Sequence, residues 1–339
     1  MIKKLNIFLL LNICLVGSVF SKELPTLFEV KIPADQYTNT NDGLNKAFNG
    51  LIQKLSGSRS KKFLWRIGDA KLKKVDFVAS YSIERDQGQE FLSVRFNDET
   101  LIPELRKIGI PLIGFNRPVI LFLLKIDTGE STPVYLDGNE SKNLFATEIK
   151  KILHNAELER GVYLELPEFD LEDQNLLNQN NVLFSPSSYV QDKFYNDAFL
   201  PMDLVRVGIN QWTISGHINS PSPLREKEVL NFFQERLHSF LDGFLEVLPL
   251  EPGLLGDQII VSVLGFDSFN DFESVESELD KIFAIKERNF YFFERSRIDY
   301  KARLFQTADS LLKELRGSTK FLVKEFNPDT NKLTLEYLN

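Results

Sequence analysis

The spacing of apolar residues changes period several times along the chain, and this predicts a protein of mixed α and β structure. Residues 27–32 (LFEVKI) alternate between apolar and polar, as in a half-buried strand. Residues 44–55 place apolar side chains at helical spacing, and Gly57 stands where a C-terminal cap is expected. The runs FVASYSIERD and EFLSVRF predict a hairpin, and residues 100–109 a short helix. Residues 22–115 are therefore predicted to form an N-terminal α+β domain.

A second domain is predicted for residues 116–223. Residues 118–126 (PVILFLLKI) are continuously apolar, which is typical of a central strand covered on both faces. An amphipathic helix over residues 145–161 and a strand (VYLELPEF) follow. This succession of strand, helix and strand indicates a βαβ-type α/β domain.

The rest of the chain predicts a long helix and a third domain. Residues 224–253 read as an amphipathic helix followed by a linker that contains Pro249, Pro252 and Gly253. Residues 254–339 read as strand, helix, strand, strand, helix, strand, which is the ferredoxin-like order. The predicted fold class is α+β and multi-domain, with three small α/β modules.

The amino terminus has the pattern of a secretory signal peptide. Lys3 and Lys4 precede an apolar stretch, and Val19 and Ser21 fit the small positions before a cleavage site. The pattern predicts cleavage near Ser21 and export to the periplasm, with an uncleaved anchor as the alternative. The apolar run is shorter than the roughly 20 residues that usually span a membrane, so no integral membrane segment is expected after cleavage.

The composition and the motifs of the chain argue against several classes of function. The net charge of -8 argues against a protein that coats nucleic acid, so no nucleic-acid partner is predicted. One cysteine, Cys14, excludes a cysteine zinc site, and none of the three histidines pairs with another at the i, i+4 spacing of a helical zinc site. Each histidine is expected at the surface. GxSxG, GxGxxG, HExxH and CxxC patterns are missing. No cofactor or metal is predicted, and a non-enzymatic protein is favoured over an enzyme.

Two polar clusters are candidate sites. Asp170, Glu172 and Asp173 could offer oxygen ligands to a divalent cation, but their place at a predicted strand end favours a solvated rim. The segment LSGSRSKK, with Ser56, Ser58 and Arg59, is a candidate anion loop. Its glycine ends a helix, whereas anion sites use helix N-termini, so a solvated loop is favoured.

Two further segments carry expectations of their own. Residues 290–293 are four consecutive aromatics, which predicts a strand sandwiched between helices and a neighbouring domain, with an exposed patch for a partner as the alternative. The turn that contains Gly114, Asn116, Arg117 and Pro118 is expected to be a structural junction that fixes the first domain against the second. The alternative is that Arg117 binds a ligand.

Four motifs resemble the bacterial domain of unknown function 2066 family. Members share a signal peptide, a "V-x-V-x-DQ" first strand, an "R-V-S-G" helix end, a "G-x-P-x-W-G-x-N-R-P" junction and an "L-D-L-E-D" strand end. The matching positions here are Val30, Ile32, Asp35, Gln36, Leu55, Ser56, Gly57, Gly109, Pro111, Gly114, Asn116, Arg117, Pro118, Asp170, Leu171, Glu172 and Asp173. The resemblance implies an exported proteobacterial envelope protein and no catalytic residues.

These observations leave two functional hypotheses. The first is a non-enzymatic periplasmic binding or scaffolding protein of the bacterial cell envelope, whose α/β modules offer sheet edges and grooves to an envelope protein partner. The alternative is a carboxylate- or cation-dependent hydrolase that acts on an envelope polymer through the carboxylates near residues 170–173. The missing nucleophile, glycine-loop and histidine constellations favour the first.

Overall fold

A computed structural model of the chain describes residues 22–86, 89–130, 132–138, 143–177, 185–245, 256–315 and 318–338. The predicted signal peptide and the linker around Pro249 to Gly253 lie outside the described residues. Within them, helices and strands alternate through four sheets, and the predicted α+β class is confirmed. No helix of the described residues is long and apolar enough to cross a membrane.

The N-terminal unit packs helices on a three-stranded sheet, in which the strand of residues 89–96 lies between those of residues 29–33 and 78–86. Asn39 caps the first helix by accepting a hydrogen bond from the Asp42 backbone, and Gly57 ends it with a left-handed φ of 64°. A second helix, capped by Ser60, lies where the sequence predicts only a loop. The elements are β1 (Lys22–Glu23), β2 (Glu29–Pro33), α1 (Thr40–Ser56), α2 (Lys61–Asp69), β3 (Val78–Asp86), β4 (Gln89–Phe96) and α3 (Asp98–Lys107).

The middle unit is built around one central strand, β6. Its elements are β5 (Asn116–Arg117), β6 (Val119–Asp127), β7 (Val134–Tyr135), α4 (Leu144–Arg160), β8 (Tyr163–Glu165), α5 (Leu171–Leu177), α6 (Pro186–Lys193), β9 (Ala198–Gly208), β10 (Gln211–Gly216), β11 (Leu224–Arg225) and α7 (Glu226–Phe244). Strand β6 pairs in parallel with both β8 and β9. Ile120 and Phe122 enter the core with α4 and α7, while Leu121 and Leu123 pack with Val190 of α6. Both faces of β6 are therefore covered, as the continuous apolar run predicts.

Helix α7 belongs to the core of the middle unit. The sequence predicts residues 224–253 as a segment of their own. In the structure, Val229, Phe233, Leu237 and Leu241 lie in the same buried cluster as the side chains of β6 and α4. The four positions follow the i, i+4, i+8 spacing of one helix face, which is why the helix buries that face against the sheet.

The C-terminal unit packs two helices on one face of a five-stranded sheet. Its elements are β12 (Gln258–Leu264), α8 (Phe269–Asp280), β13 (Ile285–Glu294), β14 (Arg297–Leu304), α9 (Ala308–Leu315), β15 (Phe321–Asn327) and β16 (Lys332–Tyr337). The strand order in the sheet is β13-β14-β12-β16-β15. The order of elements along the chain follows the predicted ferredoxin-like succession with one additional strand. That strand changes the sheet, because β15 takes the edge and β16 lies parallel to β12.

One side chain joins the first and third units directly. Phe283, which follows α8, is buried in the hydrophobic core of the N-terminal unit. Its ring contacts Phe115 edge-on at 5.7 Å between ring centres. The C-terminal unit is thus packed against the N-terminal one as well as joined to the middle one through the chain.

Candidate functional site

The predicted junction at residues 114–118 lies where all three units meet. The Asn116 side-chain amide donates to the backbone oxygen of Glu314 on α9, at 3.0 Å. A Cβ on Gly114 would lie 1.9 Å from the Glu314 carboxylate, so a larger residue here would displace that carboxylate from its present position. Arg117 donates to the backbone oxygen of Ile113 at 2.9 Å. The junction therefore holds the C-terminal unit as well as the two units between which it stands in sequence.

The Glu314 carboxylate is held by backbone hydrogen bonds and lies near two positively charged arginines. Its two carboxylate oxygens accept hydrogen bonds from the backbone N–H groups of Phe283 and Ala284, both at 2.8 Å. Burial raises the pKa of Glu314 to about 7, against these two hydrogen bonds and the positive charges of Arg106 and Arg117. Arg117 is fully buried, and its burial lowers its own pKa to about 9. These contacts bring groups from all three units around one buried carboxylate.

The candidate anion loop is part of the contact between the first and middle units. Ser56 is buried, and the Arg59 guanidinium pairs with Asp242 of α7 at 2.8 Å. Asp242 also pairs at 2.7 Å with Arg160, which is fully buried and donates to the backbone oxygen of Gly57 at 2.6 Å. The loop is only partly solvated: Ser56 is buried and Ser58 half-buried, while Arg59 is exposed and paired with a carboxylate of the neighbouring unit.

The candidate acidic cluster caps a helix. Asp170 and Asp173 accept hydrogen bonds from each other's backbone N–H, at 2.8 and 3.0 Å, at the start of α5. Asp173 is buried and also accepts from Tyr189 at 2.6 Å and Lys193 at 2.5 Å. Burial raises the pKa of Asp173, but these hydrogen bonds outweigh it and hold the pKa at about 2. The expected strand end is wrong, because this segment begins helix α5. Asp170 and Glu172 are exposed, as expected for a solvated rim, whereas Asp173 is buried. The DLED spacing is a capping-box signal.

One histidine also departs from its expected place. His238 of α7 is buried, and its Nε2 lies 3.7 Å from a carboxylate oxygen of Glu159. Burial lowers the pKa of His238, and the nearby charges of Arg59 and Arg160 lower it further. In the part of the chain that the structure covers, no three or more histidine, cysteine or acidic side chains form a group that could hold a metal ion.

The consecutive aromatics of the C-terminal unit are exposed. Residues 290–293 lie on β13, which is an edge strand, and their side chains are 42 to 61% exposed. Phe269, at the start of α8, is 70% exposed. The expected burial between helices and a neighbouring domain is wrong, and the exposed alternative describes the strand. Sequence period alone could not settle this, because strand order decides which strand has a free edge.

A groove runs between β13 and α8. It encloses a cavity of about 620 Å³ whose lining includes Phe272, Glu276 and Asp280 of α8 and Arg288 and Phe290 of β13. Arg288 bridges the helix by pairing with Glu276 at 2.6 Å and with Asp280. The Tyr300 hydroxyl donates to the other oxygen of Glu276. One end of the groove is therefore aromatic and the other is lined by charged groups.

Two register shifts interrupt the pairing of β13 with β14. One lies between Ile285 and Glu287 and the other between Phe290 and Phe292. Regular pairing between these bulges is confined to residues 287–290. Bulges twist and shorten an edge, which protects it against long edge-to-edge pairing.

A known family matches the first unit of the chain and not the other two. Residues 22–114 match the family described as Domain of unknown function (DUF8605). This is a different family from domain of unknown function 2066, so the expected membership of the latter is wrong. The four short motifs that carried the resemblance are spread over the first and middle units, and several of them are turn and cap signals that unrelated folds share. No curated protein matches the chain.

Proposed function

We propose that the protein is a non-enzymatic binding protein that contacts a protein partner through the edge strand β13. The observation that carries this proposal is the row of four exposed aromatic side chains on a strand edge that no other strand of the described residues pairs with. Large exposed apolar patches mark interaction sites, and aromatic residues supply much of the contact energy at protein interfaces. An unpaired edge also offers backbone hydrogen bonds to another chain.

The hydrolase alternative gains no support from its own residues. Two of the three carboxylates that it would use, Asp170 and Asp173, cap helix α5. Asp173 is buried against Lys193 and Tyr189, and its pKa of about 2 suits neither a general acid nor a general base near neutral pH.

We also propose that the protein is exported and acts in the periplasm. The support is the leader pattern of residues 1–21, with its two lysines, its apolar run and its small residues before Lys22. The resemblance to the domain of unknown function 2066 family also supported a place in the bacterial envelope. That support is lost, because residues 22–114 match another family.

Photocrosslinking from the aromatic edge tests the binding proposal. A benzoylphenylalanine at Tyr291 should give discrete crosslinked products with extract proteins of the source cells. The matched control is Tyr81 on β3, an exposed tyrosine on an edge strand of the N-terminal sheet. The purified crosslinked protein should then bind the wild-type chain and lose at least tenfold affinity for the variant Phe290→Ser, Phe292→Ser, Phe293→Ser. Equal products from both positions, or equal affinity of the variant, would reject the proposal.

A further inference from the structure

We infer that the exposed face of helix α2 docks the protein on the surface of an anionic lipid bilayer, with Trp65 at the level of the headgroups and lysines against the lipid phosphates. This inference concerns the N-terminal unit and goes beyond the proposed contact of β13 with a protein partner.

Basic side chains are concentrated in and around α2. Residues 59–76 hold seven of the chain's 40 lysines and arginines and only two acidic residues, Asp69 and Asp76, in a protein whose net charge is -8. An anionic surface attracts this segment and repels the acidic remainder of the chain. The distribution of charge therefore favours an approach to such a surface with α2 foremost.

The lysines of this segment are available to a ligand. Four of them are exposed, and their ammonium groups form no ion pair or hydrogen bond within the described residues: Lys61, Lys62, Lys71 and Lys73. The arginines of the segment are engaged within the fold, because Arg59 pairs with Asp242 and Arg66 donates to the backbone oxygen of Gly109. The free positive charge is therefore carried by lysines.

Trp65 lies next to two of these lysines. Helix α2 buries Phe63 and Ile67 in the core of the N-terminal unit. Trp65 is on the opposite face of the helix, where it is 69% exposed. Lys61 and Lys62 precede it by four and three residues, the spacing at which side chains are neighbours on a helix. An indole beside ammonium groups suits the interface of a bilayer, where tryptophan rings lie at the headgroup level.

Other anionic partners fit this surface less well. Single-stranded nucleic acid stacks its bases on successive aromatic side chains, whereas the other aromatic residue of this segment, Phe63, is buried. Carboxylates of an acidic protein are recognised best by the planar fork of arginine, and both arginines here already have partners. Lysine acts as a flexible point charge, which suits a diffuse layer of headgroups.

The fluorescence of Trp65 makes the contact measurable. The chain has two tryptophans. Trp212 is buried and stacks on Phe145 with 4.1 Å between ring centres, so a change of emission on adding vesicles reports Trp65. Vesicles of phosphatidylglycerol and phosphatidylcholine in equal parts should shift its emission to shorter wavelength and protect it from acrylamide. Vesicles of phosphatidylcholine alone should do neither.

Charge reversal locates the surface. The variant Lys61→Glu, Lys62→Glu should bind the anionic vesicles at least about tenfold more weakly in flotation, because each lysine near an anionic bilayer contributes roughly fivefold in affinity. The matched control Lys227→Glu, Lys286→Glu makes the same change of charge at exposed positions of α7 and β13, and it should stay within about twofold of wild type.

The amino terminus must be the same in every protein compared. Residues 1–21 are largely apolar and would bind lipid on their own. Wild type and variants are therefore compared as chains that begin at Lys22, the first residue that the structure describes.

Three outcomes would overturn the inference. The first is equal affinity of the lysine variant and its control, and the second is an equal shift of Trp65 emission with neutral vesicles. The third is quenching of Trp65 by a single-stranded oligonucleotide while anionic vesicles leave its emission unchanged, which would identify nucleic acid as the occupant. None of these results bears on the proposed function, because β13 lies in another unit.

A second variant covers a folding failure of the first. Should circular dichroism show that Lys61→Glu, Lys62→Glu does not fold, Trp65→Ser tests the same surface. Its flotation with the anionic vesicles should be about tenfold weaker than that of wild type, because the interface loses its indole. Unchanged flotation of a folded Trp65→Ser protein would overturn the inference.

Discussion

Arg160 and Asp242 form an ion pair of 2.7 Å in which the arginine is fully buried and the aspartate is 39% exposed. Asp242 pairs with Arg59 through its other oxygen, so one carboxylate of α7 neutralises cations from two units. A buried guanidinium without this carboxylate would be a desolvated charge, which is strongly unfavourable. The contact between the first and middle units therefore depends on this aspartate.

Removing the Asp242 charge should destabilise the protein. Asp242→Asn leaves Arg160 buried without its counter-ion, and we expect a loss of about 2 to 3 kcal/mol in the free energy of unfolding. This lies at or below the low end of the roughly 3 to 5 kcal/mol seen for buried pairs, because water reaches the aspartate. Urea unfolding measures it. Glu130→Gln, which removes the exposed partner of Arg206, is the control and should change stability by less than about 1 kcal/mol.

We expect Arg117 to contribute to the stability of the fold. Arg117→Ala removes a buried charge-assisted hydrogen bond to Ile113, and we expect a loss of about 1.5 to 3 kcal/mol with a lower melting temperature. Arg95→Ala, at an exposed position of β4, should leave the melting temperature unchanged. An Arg117→Ala protein with wild-type stability that no longer binds its partner would instead favour the ligand-binding alternative for this arginine.

Local patterns predicted most of the elements, and they failed where burial depends on distant partners. Period and caps located α1, α4 and β6, because these signals are carried within a few residues. The burial of Arg117 and Arg160 could not be predicted in the same way, since charged residues are exposed unless the fold brings a partner to them. The aromatic run failed for the related reason that an edge strand is defined by strand order.

The candidate sites differ in the same way, because some roles can be predicted from local sequence and others depend on distant parts of the chain. The DLED motif carried a readable capping-box signal at Asp170 and Asp173, so its structural role was available from sequence. The groove between α8 and β13 was not available, because it exists only through the pairing of β13 with β14 and the packing of α8 above them. Its lining combines side chains of α8, such as Phe272, with side chains of β13, such as Phe290, that are not neighbours in sequence.

Gly57 should be irreplaceable, whereas Gly68 should not. Gly57 has a left-handed φ of 64°, and a Cβ there would lie 2.5 Å from Ile113 and 2.8 Å from the backbone oxygen of Leu245. We expect Gly57→Ala to destabilise the protein by about 2 kcal/mol. Gly68→Ala, in helix α2 with no atom within 4 Å of the added carbon, should stabilise it by about 0.5 kcal/mol. Denaturant unfolding of the pair checks this, and equal losses would contradict it.

Asp173 should make the protein less stable in acid. Its folded-state pKa is about 2 against an ordinary value of 3.8, so its ionised form is favoured in the folded state. Its contribution is therefore fully present above about pH 4 and lost as the pH falls towards 2. Asp173→Asn should be less stable than wild type by about 2 kcal/mol near neutral pH, because the charged hydrogen bonds with Lys193 and Tyr189 weaken. Urea unfolding across this range should show the difference shrink from pH 4 to pH 2. A difference that does not change with pH would mean that Asp173 contributes through packing and not through its charge.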